Sequence, residues 1–224
     1  MRLRLVFGIC LAFISAAQAW AVDYRVEALN EGPPAGQVSA EVLAKLSPTG
    51  LRVIRGTKRT FCDIWLLKQW QLNSGFKPTA EILYPFQPGQ LVGVVRYARR
   101  AADFRDQRID RGVYTLRYAH QPVDGSHVGT SPTRDFLLLI RASDDKSLKA
   151  MGGDDLVANS AEAAGSTHPC MLCLQGASDK GKAQSIRHFE PSDWWIVGLR
   201  GMAKSEGKQQ PIPMDLVIVG HANE

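Results

Sequence analysis

Residues Gly112–His120 alternate without a break: Val113, Thr115, Arg117 and Ala119 fall on one side of an extended chain, and Tyr114, Leu116 and Tyr118 on the other. Segments of this kind recur along the whole chain, separated by turn residues. Val22–Ala28 alternates as well, and Leu51–Arg55, Arg59–Gln71, Gln90–Tyr97, Asp135–Arg141, Pro169–Leu174, Asp193–Arg200 and Pro213–Val219 are strand-length apolar runs. Pro33-Pro34, Gly56-Thr57-Lys58, the loop-like region Leu72 to Pro88 and Asp124-Gly125 supply the turns between them. Strands at this spacing predict an antiparallel β-sandwich, jelly-roll-like, in a single domain over residues 22–224. A doubly wound parallel sheet needs a helix after each strand, and that alternation is missing.

Helical patterning is confined to two places. Ser39 can cap a short helix over Ser39–Leu46 in which Val42, Leu43 and Leu46 share a face. Asp144–Ala164 reads as helix in pieces, interrupted by Gly152-Gly153. Arg99–Asp110 is charged and predicts a loop or a short helix.

The first 21 residues have a different composition. Arg2 and Arg4 precede an uncharged, mostly apolar run from Leu5 to Ala17, followed by Ala17-Gln18-Ala19. A basic start, an apolar middle and small residues at a cleavage position form the pattern of an export signal. We expect cleavage after Ala19 or Ala21 and a secreted or periplasmic product. The apolar run falls short of the roughly 20 residues a spanning helix needs. No later stretch is long and apolar enough, so no membrane span is expected after signal removal.

The formal net charge is +5, of which Arg2 and Arg4 supply two. Basic and acidic residues are interleaved, as in Arg99-Arg100-Ala101-Ala102-Asp103-Phe104-Arg105-Asp106. Nucleic-acid binding uses a one-sided basic stripe, so no nucleic-acid partner is expected. A small molecule, a glycan or a protein remains as the partner class.

Three constellations could carry chemistry. In His168-Pro169-Cys170-Met171-Leu172-Cys173, two thiols three residues apart stand beside an imidazole and a thioether. His168, Cys170 and Cys173 form a soft set suited to copper or zinc, and the same spacing serves thiol redox chemistry. If the segment is a strand, however, Cys170 sides with Leu172 and Cys173 with Met171, and the thiols are core. A disulfide involving Cys62 is the third alternative. The loop after Gly112–His120 holds His120, Asp124 and His127, a zinc or acid–base set in a hydrolase-type site, or simply a turn at Asp124-Gly125. Finally, Trp194 and Trp195 are adjacent on a strand and point to opposite faces: one belongs to the core, and the other offers a sugar-stacking surface. The chain lacks a Gly-x-Ser-x-Gly elbow, a His-Glu-x-x-His pair and a phosphate-binding glycine loop.

The stretch Ile109-Asp110-Arg111-Gly112-Val113-Tyr114-Thr115-Leu116-Arg117-Tyr118 resembles the x-x-Gly-x-Tyr-[Ser/Thr]-Leu strand of small secreted bacterial β-sandwich domains of unknown function. Leu91–Tyr97 and Met214–Val219 fit the same layout. The resemblance covers about a third of the chain. It implies an exported β-sandwich and assigns no catalytic residue. The sequence thus predicts an exported, non-catalytic binding or structural domain. The alternatives are a soft-metal or thiol-redox protein and a hydrolase-type enzyme.

Overall fold

The computed structural model describes residues 22–125, 129–178, 184–205 and 207–222. Thirteen strands run in chain order: β1 (Tyr24–Leu29), β2 (Gly50–Arg55), β3 (Arg59–Leu66), β4 (Trp70–Gln71), β5 (Leu91–Tyr97), β6 (Ala101–Ala102), β7 (Arg108–Ile109), β8 (Gly112–His120), β9 (Asp135–Arg141), β10 (Met171–Gln175), β11 (Ser185–Phe189), β12 (Trp194–Ser205) and β13 (Lys208–Val219). Helix α1 (Ala40–Lys45) precedes β2, and α2 (Gly153–Ala164) precedes β10. The fold is mainly β and antiparallel with two short helices, as the sequence predicts.

One hydrogen-bonded path joins the main strands in the order β1-β2-β3-β5-β8-β9-β10-β13-β12-β11. This sheet curls until β11 lies beside β1. The two layers expected of a sandwich are therefore opposite walls of one sheet. At the seam Tyr24 packs on Trp195 with ring centroids 5.2 Å apart. β4 joins β12 in parallel, and β6 and β7 form a separate small hairpin. Beyond the short pairing of Leu174–Gln175 with Leu216 and Asp215, the outer half of β13 has no second partner strand among the described residues; Pro211 and Pro213 stand there.

Alternation decides what each wall buries. Tyr114, Leu116 and Tyr118 point into the curl and join Val53, Ile64, Leu137 and Leu216 in the main core. The segment between β4 and β5 is a loop, as its prolines predict, yet it sends Tyr84 and Phe86 into that core. Phe86 lies edge-on to Trp70 at 5.1 Å and to Tyr118 at 5.5 Å. The Tyr84 hydroxyl donates to the Gln175 carbonyl (2.6 Å) and accepts from the Asp215 amide (3.0 Å), so the loop is tied to β10 and β13. Gly201 lets Trp70 approach β12: a Cβ there would stand 2.2 Å from the indole ring.

The outer face is covered in patches. Ser39 caps α1 as predicted, accepting from the Val42 amide, and Val42 and Leu46 pack on Trp65, Leu91 and Val94. The other face of β8 is not solvated, although it carries Thr115 and Arg117. Arg117 is fully buried and uses all five of its N–H donors. Two go to Asp145 (2.6 and 2.7 Å), and three go to the carbonyls of Gly89 (2.6 Å), Ser147 (2.6 Å) and Lys149 (2.9 Å). The Thr115 hydroxyl also donates to Asp145. Segment 142–151 is therefore an ordered cover rather than the helix its composition suggested, and α2 starts only at Gly153, with Gly152 as its cap.

Two further differences concern β11 and the end of β12. The pattern of 185–189 carries no clear apolar alternation, so that strand escapes a reading by period; its side chains are mostly half-buried. β12 and β13 run past their apolar cores into a long polar hairpin, because their mutual ladder, and the short contact with β4, continue to Ser205 and Lys208.

Removing one partner of a fully buried ion pair strands the other charge. Arg117→Met should lower the free energy of unfolding by about 3–5 kcal/mol in urea titrations. An Arg117→Met, Asp145→Leu double variant should recover part of that loss; a single variant as stable as the parent would show the pair to be dispensable.

Candidate functional site

Cover is incomplete over β8, β9 and β10. There the outer face is bounded by α2 on one side and by the β6–β7 hairpin with residues His221 and Ala222 on the other, and a groove of about 640 Å³ opens between them. Its apolar surface comes from Ala119, Phe136, Leu138, Leu156, Met171 and Phe104. Ala119 and Leu138 face outward on β8 and β9 because alternation sends Tyr118 and Leu137 inward. Leu156 is the buried residue in the first turn of α2, and Val157, beside it on the groove wall, is exposed.

The hairpin side is held rigidly by Asp103. This buried carboxylate accepts the amides of Arg105 (2.8 Å), Gln107 (2.8 Å) and Met171 (3.0 Å) and the side-chain amide of Gln107 (2.9 Å). Burial raises its pKa, and the amide donors oppose that rise. The anchor brings Phe104 alongside β10: its amide donates to the Met171 carbonyl (2.9 Å), and its carbonyl accepts from Ala222 (2.9 Å). Phe104 then meets Phe136 and Trp194 edge-on.

Among the described residues three histidines border the groove: His120, His168 and His221. His120 is tied to the interior. Its Nε2 lies 2.9 Å from the Tyr118 hydroxyl, which in turn donates to Asp135. The second carboxylate oxygen of Asp135 accepts the Leu83 amide at 2.8 Å. Cross-strand register explains the grouping, since His120 is paired with Asp135 between β8 and β9, and Tyr118 is two residues before His120 on the same face. Burial lowers the pKa of His120 from 6.5, with Asp135 working against the shift. Burial also raises that of Asp135.

The sequence candidates are distributed as follows. His168 is exposed at the groove rim, in the connection from α2 to β10. Cys170 and Cys173 are buried on opposite faces of β10: Cys170 joins Leu172 in the main core, and Cys173 joins Phe104, Phe136 and Trp194 outside it. The two thiols therefore do not converge with His168 on one point, and Cys62, Cys170 and Cys173 are all unpaired with one another. Among the described residues no three His, Cys, Asp or Glu side chains are grouped to hold a metal. Burial pushes the Cys173 thiol up to about 11, and raises Cys170 and Cys62 as well. Asp124 is exposed on the loop after β8, while the partner of His120 is Tyr118. His127 lies outside the described residues.

Trp194 is the core member of the tryptophan pair, with its indole N–H donated to the His221 carbonyl (2.8 Å). Trp195 is half-buried, and His188 stacks on it at 4.7 Å and 17°. Tyr24 packs on Trp195 as well, so the ring is engaged by its own neighbours. His188 is held by Asp193 at 2.6 Å.

Sequence reasoning found His120 and His168 but not the groove that they share. Tyr118 could have been found, since a hydroxyl two residues from His120 on a clean strand must share its face. Asp135 could not, because pairing between β8 and β9 is not written in either strand alone. A second recess, of about 360 Å³, lies over β2, β3 and β5. Its Asp63 accepts from both Arg52 (2.6 Å) and Arg96 (2.7 and 3.0 Å), and Glu31 pairs with the same two guanidiniums. Its charges are largely spent on one another.

Among the described residues no helix is long and apolar enough to cross a membrane. Comparison with protein-family models, curated proteins and solved structures returned no match. The site must therefore be interpreted from its own chemistry.

Two measurements follow. The unfolded chain takes up a proton at His120 near 6.5, whereas the folded chain resists it. Stability should thus fall as the pH drops below 6.5 and through the lower folded value, and His120→Gln should flatten that part of the profile. Alkylation mapped by mass spectrometry should label Cys62, Cys170 and Cys173 only after denaturation; rapid labelling of any of them in the folded protein would contradict its burial.

Proposed function

We propose that this domain is an exported binding protein that holds a small apolar or amphiphilic molecule in the groove between α2 and the β8–β10 wall. The observation that carries this reading is the apolar lining left open at Ala119, Phe136, Leu138 and Met171, beside outer-face patches that α1 and segment 142–151 do cover. A volume of about 640 Å³ suits a ligand of small-molecule size. Apolar walls with a few polar groups at fixed positions are the usual makeup of such sites. Export is supported by the basic, apolar and small-residue pattern of Arg2 to Ala19.

Binding is favoured over catalysis by what surrounds His120. An imidazole linked to a carboxylate through a hydroxyl resembles an acid–base relay, but the hydroxyl here belongs to the fully buried Tyr118 and is already engaged by Asp135. Among the described residues no serine or cysteine is hydrogen-bonded to His120, so within them the imidazole activates no nucleophile.

The test uses N-phenyl-1-naphthylamine, a neutral fluorophore that brightens in apolar surroundings. The native protein should bind it saturably at about micromolar concentration. Ala119→Phe fills the groove wall and Val157→Asp places a charge on α2; each should weaken binding at least tenfold while the circular dichroism spectrum stays native. Unchanged binding in both variants would refute the groove as the site.

A further inference from the structure

Four neighbouring strands bring basic residues to one end of the sheet. β2, β3, β5 and β8 lie side by side and run alternately in opposite directions. β2 ends in Arg55, and β3 begins with Arg59 after the turn Gly56-Thr57-Lys58. β5 ends at Tyr97 and is followed by Arg99 and Arg100, while Arg111 directly precedes β8. All of these cations are therefore carried to the same end of the curl, and all are exposed. The opposite ends of the same strands are flanked by Thr49, Lys68, Gln90 and Gln121. Arg55 and Arg59 are direct cross-strand partners, an arrangement of like charges that destabilises a sheet. The turn between them is nevertheless held, since Arg25 donates to the carbonyls of Gly56 (2.9 Å) and Thr57 (2.8 Å).

Few acids oppose this group. Asp110 pairs with Arg108 (2.6 Å) and stands 3.9 Å from Arg100, and Asp23 lies at the β1 edge beside Gly56. Glu190 and Asp193 belong to the turn after β11, across the seam, where Asp193 holds His188. Further in, Asp63 and Glu31 are matched by Arg52 and Arg96. Among the described residues Arg55, Lys58, Arg59, Arg99 and Arg111 form no ion pair. The mixing of signs along residues 99–106 is undone in space: Asp103 is buried and accepts amides, and Asp106 lies past it at the groove.

We infer that this end of the molecule docks on a membrane surface of anionic phospholipid. The cations stand on strand ends and turns, so they present a blunt face that a plane of head groups can meet at several points together. Nucleic acid is read by an element that enters a groove or by a stripe that tracks the backbone, and these tips supply neither. The choice of lipid rests on the groove reading. The β6–β7 hairpin, which joins Arg100 to Arg108, also carries Phe104 to the groove border. Docking thus holds that border close to a bilayer, the source from which an amphiphile would enter the groove.

The experiment is sedimentation of the exported protein, without its signal segment, with lipid vesicles at low salt. It should pellet with equimolar phosphatidylcholine and phosphatidylglycerol and stay in solution with phosphatidylcholine alone. Added sodium chloride should release it, because screening shortens the reach of the charges. Each cation near such a surface contributes about fivefold to binding. The double variant Arg55→Gln, Arg59→Gln should therefore weaken binding by at least about tenfold, and Arg99→Gln, Arg100→Gln should do the same. These side chains are exposed and the first pair repels itself, so both variants should fold and still bind N-phenyl-1-naphthylamine. Lys204→Gln, Lys208→Gln removes the same charge from the β12–β13 hairpin at the other end and should change binding by less than about twofold. Equal weakening in that variant would overturn the docking face, since net charge alone would then account for adsorption. Displacement from the vesicles by duplex DNA at equal phosphate concentration would overturn the lipid assignment. A protein that binds the probe but not phosphatidylglycerol would overturn the inference and leave the groove reading intact. One that sediments but does not bind the probe would support the docking face and refute the groove.

Discussion

The Arg117 guanidinium is the constraint on which the outer half of this molecule depends. It sits in the middle of the central strand β8, out of water, and each of its five N–H groups has a partner. Asp145 alone would balance its charge. The three carbonyls of Gly89, Ser147 and Lys149 do something further: they bring two distant pieces of irregular chain onto one point. Once those pieces are fixed, the Met151 amide reaches the Gly89 carbonyl, and α2 begins two residues later in a defined place. A buried ion pair contributes little net stability compared with apolar packing. Its value here is geometric, because a planar fork of donors admits one arrangement of the surrounding carbonyls.

The groove is a consequence of that arrangement. α2 reaches the sheet through Leu156, Ser160 and Ala163, and small residues at two of these positions let the helix settle close at its C-terminal end. Ser160 even donates to the Cys170 carbonyl. Towards its N-terminus the helix stands against Ala119 and Leu138, and Ala119 fills little space. On the far side Asp103 holds the hairpin loop by four hydrogen bonds, so that wall cannot collapse inward to close the gap. An open apolar surface survives because both of its borders are anchored by buried charges.

Periodicity made most strands legible, and it failed where burial is two-sided or pairing does the work. β8 reads correctly as a strand with Tyr114, Leu116 and Tyr118 on one face. Its other face, with Thr115 and Arg117, has the composition of a solvated surface, and only the Asp145 loop shows why it is not. The Ser39 cap and the opposition of Cys170 to Cys173 were readable because both are local geometry. Segment 144–151 looked helical because its composition permits a helix, but its carbonyls are drawn to Arg117 instead. For the candidate site, His120 and His168 were visible as residues, whereas the groove is made by Phe104, Phe136 and Leu156, ordinary apolar residues from three distant stretches. No local signal distinguishes them from core.

The seam between β1 and β11 bears on how the chain can reach this state. Tyr24 is near one end of the described chain, and its aromatic neighbour Trp195 is near the other. A chain emerging from the ribosome cannot make that contact until almost all of it has been synthesised. Pairings so far apart in sequence carry a large loop-closure cost and belong to slowly folding topologies. The curl therefore cannot be completed early on a nascent chain, which spends most of its synthesis with an unfinished wall.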